Sequence, residues 1–368
     1  MYKNTNIMSS ESTIIDEINE IENPFDPKRI DIKTKTTSLD NIIKRLKNGE
    51  IDLNTEFQRS GNLWDTATQS RLLESLLIRF PIPVFYFDGS DDDRWLIVDG
   101  LQRLNSINNF VVDKTLKLEK LEYLKQFEGC YFNDLPRDLQ RRIEETEIVM
   151  YIINPGTPTN VKYNLFKRIN TSGLFLKPQE IRHALNQGIS SKFIAELAEL
   201  EEFKKATGCS ISSKRMLDRD YVARFVAFYL TPYTEYKPDL DNFLNEGMVK
   251  LGKLSIKEME KLKEDFISAM ELADEIFGKF AFTKKTSSGK KGPLNKSLFE
   301  CWSVSLAKLS KKEKIVLLKN KEEIFALFQK LLDESPDFIS AITAATNDKK
   351  KLALRFTSVK KILNKFGI

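Results

Sequence analysis

Residues 94–110 read Arg-Trp-Leu-Ile-Val-Asp-Gly-Leu-Gln-Arg-Leu-Asn-Ser-Ile-Asn-Asn-Phe. Trp95 to Val98 is a short apolar run rich in β-branched residues, which predicts a buried strand. Asp99-Gly100 interrupts it, because glycine takes backbone angles that other residues avoid. From Gln102 onward, Leu104, Ile107 and Phe110 fall on one face of a helix. The stretch therefore predicts a strand, a tight corner and a helix that opens on Gln102 and Arg103. Backbone N–H groups without partners at a helix start, next to an arginine, suit an anion such as phosphate. The plainer alternative is a simple turn followed by a surface arginine.

Working outward, Val84 to Phe87 predicts an earlier strand, and the polar residues from Gly89 to Asp93 a turn. The corner thus lies at the end of a hairpin. Upstream, Ser38 is a candidate cap for a helix from Leu39 to Asn48, which Gly49 stops. Residues 50–65 read as irregular. Asp65 can cap a helix from Thr66 to Arg79 whose Leu72, Leu73, Leu76 and Leu77 face the core, before Pro81 and Pro83. Downstream, Pro136 opens a helix to Glu145, and Ile148 to Ile153 is a further strand. Asn154-Pro155-Gly156 marks a domain boundary.

Beyond Pro158 the signals are helical. They comprise a helix over 160–169, a loop from Asn170 to Leu176, a helix with Pro178 in its first position, and another from Asp218 to Leu230. Ser255-Ile256-Lys257-Glu258 is a capping-box pattern for a long helix that ends at Gly278. The Lys/Ser/Gly-rich stretch from Thr283 to Gly292 reads as mobile. No internal repeat is present. The expected fold is α+β: an arm over 1–30, a small mixed domain over 31–155 and a larger all-helical domain over 156–368.

With 41% hydrophobic residues in 368, the chain can bury a large core. No stretch has the unbroken apolar length of a membrane span, and the N-terminus lacks a secretory pattern. Cys130, Cys209 and Cys301 form no metal-like or redox pair, which fits a reducing cytoplasm. The net charge of +5 permits nucleic-acid contact without requiring it. The basic clusters Lys284-Lys285, Lys290-Lys291 and Lys349-Lys350-Lys351 read first as solvated loops or helix ends. His183, the single histidine, reads as a packing or surface residue.

Asp99-Gly100-Leu101-Gln102-Arg103 resembles the Asp-Gly-Gln-Gln-Arg signature of a bacterial family with a ParB/sulfiredoxin-like N-terminal domain, found in GmrSD-type restriction and anti-phage proteins. Two further blocks match in order and spacing. One is Phe57-Gln58-Arg59, Trp64, Ser70 to Leu77 and Pro81-Ile82-Pro83; the other is Phe166 to Gly173, Leu176 and Gln179-Glu180-Ile181-Arg182. The resemblance covers about residues 38–200. It implies binding, and in several members hydrolysis, of a nucleoside triphosphate, and a role in restricting foreign DNA. DNA or a defence protein is a candidate partner, and the lack of an apolar span argues against a membrane. Members often carry a C-terminal histidine–metal nuclease; with no histidine after His183, that domain is not expected here.

On this reading Arg103 clamps phosphate through its planar fork, and Asp99 holds Mg²⁺ through water or orients Arg103. A cap on the following helix is the other role for Asp99. Gln102 positions an attacking water or is merely solvated. Gln58, Arg59, Gly100, Arg168, Asn170 and Arg182 complete the expected nucleotide site. Arg59 has a salt bridge with Asp65 or Glu74 as its alternative, and Trp64 reads as core rather than as a base-stacking platform. Leu101 departs from the signature: facing the site it would weaken turnover, whereas facing the core it would be harmless. A ParB-like nuclease and a non-catalytic DNA- or protein-binding regulator remain the competing functions.

Overall fold

The computed structural model describes residues 29–53, 64–91, 93–169, 177–285 and 291–368. The sheet region contains β1 (Ile32–Ser38), α1 (Leu39–Lys47), β2 (Ile51–Asp52), α2 (Thr66–Leu77), β3 (Phe85–Asp88), β4 (Trp95–Asp99), α3 (Leu101–Ile107), α4 (Arg137–Glu144) and β5 (Glu147–Ile153). Strand order is β1-β5-β3-β4-β2. β3 and β4 form the expected antiparallel hairpin, while β3 runs parallel to β5 and β4 parallel to β2.

Alternation along the strands sorts the two faces. Phe85, Phe87, Trp95, Ile97, Ile148 and Met150 point to one side, where α1 to α4 cover them. On the other side Val98 and Ile153 meet Tyr163, Phe166 and Ile181 of α5 (Thr159–Ile169) and α6 (Pro178–Leu185). Lys162 of α5 reinforces that second layer, bridging to Asp88 Oδ2 at 2.9 Å.

β1 had no counterpart in the sequence reading. Its seven residues pair along the whole of β5, from Ile32↔Ile153 to Ser38↔Glu147. Its Lys-Thr-Lys-Thr centre is exposed, so apolar alternation gives no signal. Threonine suits a pleated surface and lysine protects an edge from further pairing. Capping expectations divide. Asp65 accepts from Thr68 N–H at 2.8 Å, whereas Ser38 makes no side-chain cap bond and instead accepts from Asn41 Nδ2. A second carboxylate does comparable work inside a loop. Glu74 on α2 accepts the backbone N–H groups of Glu122, Tyr123 and Leu124 at 2.7–2.9 Å. Burial alone would raise its pKa, but these donors hold it below the ordinary value.

The helical region continues with α7 (Ile189–Glu199), α8 (Glu201–Ala206), α9 (Leu217–Leu230), α10 (Leu240–Leu251), α11 (Ile256–Phe277), α12 (Lys296–Ala307), α13 (Lys311–Lys319), α14 (Lys321–Glu334), α15 (Pro336–Thr343) and α16 (Lys349–Asn364). A single apolar core joins them. α12 is buried along almost its whole length, with Trp302 and Phe299 fully enclosed. The Ser255 capping box and the Gly278 stop of α11 are both present. The stretch expected to be mobile contains a short ribbon, β6 (Thr283–Lys285) with β7 (Lys291–Leu294). Buried Thr283 and the Asn295 N–H donating to Phe282 O tie this ribbon to the core.

Candidate functional site

The hairpin delivers Asp99 to the end of β4, and Gly100 turns the chain with φ +100°. A Cβ at position 100 would stand 2.4 Å from Phe85 Cδ1. Backbone angle and space therefore both require glycine. Leu101, Leu104 and Ile107 then root α3 in the apolar core. Only 6% of Leu101 is exposed, so the residue that departs from the signature faces the core. The helical path continues past α3 through a π-helical turn over Asn108–Val112.

Arg103 is buried, and its guanidinium serves the corner itself. Nη2 donates to Asp99 Oδ2 at 2.8 Å; Nη1 donates to Pro83 O and, at 3.1 Å, to Val84 O. Its central carbon stands 4.7 Å from the Phe85 ring centroid. Asp99 thus orients Arg103, one of the three roles expected of it. Three of the five N–H groups of a guanidinium are spent on described residues. Burial pushes the Asp99 carboxyl above its ordinary pKa, and Arg103 offsets only part of that shift. Tyr86, the register partner of Asp99, stacks on Tyr151 at 5.0 Å, and burial raises its pKa as well. No sequence signal distinguished Tyr86 as a neighbour of the corner.

Gln102 joins the corner to α2. Its Oε1 accepts the Trp64 N–H at 3.2 Å; Gln69 Nε2 donates to Trp64 O at 2.9 Å, and Asn109 Nδ2 donates to Gln69 Oε1 at 3.1 Å. Trp64 is half-buried and stands outside the apolar clusters of the described residues, which corrects its assignment to the core.

Gln58, Arg59 and Asn170 lie outside the described residues. Arg168 is exposed in the last turn of α5. Arg182, expected with the loop around Gly173, is instead fully enclosed. It donates to Asp241 Oδ1 at 2.9 Å, Asp220 Oδ1 at 3.2 Å and Gln179 Oε1 at 2.9 Å.

Arg182 begins a charge layer that the sequence reading missed. Asp220 also receives Arg224 Nε at 3.2 Å and Lys296 Nζ at 2.7 Å. Glu300 joins Arg224 to Arg355, whose Nη1 donates to Ala341 O and Thr346 O. Burial alone would raise Asp220, but Arg224, Lys296 and Arg182 together hold its carboxyl well below the ordinary range. The available signal was Asp220-Arg224 and Lys296-Glu300 at helical i,i+4 spacing within otherwise apolar helices.

Among the described residues no group of three histidine, cysteine, aspartate or glutamate side chains is placed to hold a metal ion. No helix of the described residues is long and apolar enough to cross a membrane.

Residues 39–187 match the family model described as the GmrSD restriction endonuclease, N-terminal domain. This stretch runs from α1 through α6, so it takes in the corner and both helical layers of the sheet. It supports a GmrSD-type N-terminal domain in this part of the chain. No curated protein and no solved structure matches the chain.

Proposed function

We propose that this chain acts in restriction of foreign DNA and that its Asp99–Arg103 corner receives the phosphates of a nucleoside triphosphate. The reading draws its restriction role from the domain over residues 39–187. The observation that carries the nucleotide is the corner itself, where left-handed Gly100 sets Asp99 beside Arg103 and Gln102 in the first turn of α3. Asp99, with its side chain 32% exposed, can take a hydrated Mg²⁺, while Arg59 and the remaining Arg103 donors meet phosphate oxygens. Gln102, half-buried beside Arg103 in sequence and with Oε1 on the Trp64 N–H, orients a water or a phosphate oxygen through its amide N–H groups.

The test is calorimetric titration of each of the four triphosphates with Mg²⁺, with and without DNA, alongside phosphate release. Arg59→Ala should weaken affinity by about tenfold to a hundredfold, the loss of a charge-assisted contact, and Gln102→Leu by about twofold to tenfold, the loss of a neutral one. Unchanged affinity in both folded variants would remove the nucleotide from the corner.

A second reading has its own support. Arg103 is committed to Asp99, Pro83 O and Val84 O, which makes the corner a clasp for a non-catalytic regulator. In that case no triphosphate binds, and DNA or a protein partner does. Incubation with modified and unmodified phage DNA and Mg²⁺ or Mn²⁺ covers the remaining possibility. Robust cutting that disappears in Asp99→Ala would make the sheet domain a nuclease.

A further inference from the structure

We propose that the sheet face carrying Tyr86 and Tyr151, beside the corner, is a stacking platform for the base of a purine nucleoside triphosphate. This rests on the reading that the corner receives the phosphates.

β4 has one residue too many at its end. Ile97 stands opposite Phe87, but Asp99 rather than Val98 stands opposite Tyr86. The extra residue makes a β-bulge, a device that re-aims a side chain. Opposed residues of a strand pair share a face, so Asp99 is turned to the side of Tyr86. Strict alternation would have left it with Trp95 and Ile97, on the side that α1 to α4 cover.

The register extends this row. Tyr86 lies beside Tyr151 of β5, and Tyr151 beside Thr34 of β1. Asp99, Tyr86, Tyr151 and Thr34 thus form one line across the sheet, about 14 Å long at ordinary strand spacing. A nucleoside triphosphate laid out from terminal phosphate to base spans a similar length.

The helical cover thins along this face toward the corner. Ile153 is buried under α5 and α6. Two residues nearer the corner end Tyr151 is half-buried, and two further Val149 is 37% exposed. Thr34 and Thr36 are exposed beside them on β1. The Tyr86 and Tyr151 rings stack at 5.0 Å with 15° between their planes. Tyr151 spends one ring face on Tyr86 and keeps the other toward Thr34, whose small side chain leaves room for a flat ligand. Every base offers a π-face to such a ring, and a bicyclic base overlaps it most.

The test titrates ATP, GTP, CTP and UTP into the full chain with Mg²⁺, with inorganic tripolyphosphate as the ligand that lacks a base. The tyrosine pair also braces the sheet, so Tyr151→Leu, which keeps an apolar cross-strand contact, is compared with Tyr151→Phe. Tyr151→Leu should lower purine triphosphate affinity about tenfold, the loss of one base–aromatic stack, and leave tripolyphosphate binding unchanged. Thr34→Phe, at an exposed position, should do the same by covering the free ring face of Tyr151. Tyr151→Phe should bind every ligand as the wild type does, and Gln102→Leu should weaken triphosphates and tripolyphosphate alike. The proposal is overturned if Tyr151→Leu and Thr34→Phe bind purine triphosphates as tightly as the wild type, or if they lose tripolyphosphate to the same degree. If neither tripolyphosphate nor any triphosphate binds the wild type, the corner reading fails and the platform fails with it.

Discussion

Asp99 at the corner of the sheet region and Asp220 in the charge layer of the helical region each face an arginine, and they titrate in opposite directions. Among the described residues Asp99 has one cationic neighbour, Arg103, and burial pushes its carboxyl up. Asp220 is more deeply buried, yet Arg224, Lys296 and Arg182 outweigh the burial and hold it down. The direction of the shift follows from how many cations converge on the carboxylate, because each adds Coulombic stabilisation against one desolvation cost. The two regions accordingly rely on different constraints. The corner is shaped by backbone, with a left-handed glycine and an arginine spent largely on main-chain carbonyls. The helical region is pinned by side-chain charge, from Asp241 to Arg355.

The largest expected effect tests the charge layer. Asp220→Asn leaves Arg182, Arg224 and Lys296 facing a neutral amide and should destabilise the protein by about 3–5 kcal/mol, the usual result of breaking a buried ion pair from one side. The folded-state pKa of Asp220 lies below its ordinary 3.8. Its contribution is therefore complete above that value and lost as pH falls through and below it. Thermal melts from pH 7 to pH 2 should show less acid sensitivity in Asp220→Asn than in the wild type; parallel curves would mean that the three cations do not stabilise the charged form.

Gly100→Val tests the backbone constraint of the corner. Positive φ and the 2.4 Å approach to Phe85 act together, and about 3 kcal/mol of destabilisation is expected. An unshifted denaturant midpoint would mean that the corner relaxes without cost. Leu101→Gln restores the signature of the resembling family, but it places an amide at a core position. We predict a loss of about 2 kcal/mol with no gain in phosphate release. A folded variant of wild-type stability and raised turnover would show that position 101 reaches the site after all.

The smallest effect asks whether the helical region also has a backbone constraint. A Cβ at Gly247 would come within 2.8 Å of Ala227 Cβ and 2.9 Å of its Cα. Overpacking of α9 against α10 costs about 1–3 kcal/mol, and the helix propensity of alanine returns about 1. Gly247→Ala should therefore be destabilising by about 1 kcal/mol. A higher melting temperature would mean that α10 shifts freely and that charge alone positions it.

Local chemistry carried much of the architecture in the sequence. The apolar run from Trp95 to Val98, the Asp99-Gly100 break, the Asp65 cap, Pro178 in the first turn of α6 and the Ser255 box act over a few residues, and each is visible without knowing what surrounds it. The hairpin and the helical character of the second half followed from such signals. β1 did not, because an exposed Lys-Thr strand is specified by pairing with β5, residues more than a hundred positions away. The same distance hid the partners of the arginines. Nothing local to Arg182 announces Asp220 and Asp241, and nothing local to Arg103 announces Pro83 O and Val84 O. Residue type showed that these side chains could hold an anion; only the tertiary structure decided which anions and carbonyls they meet, since burial and Coulomb energy depend on distances that the chain sets by folding.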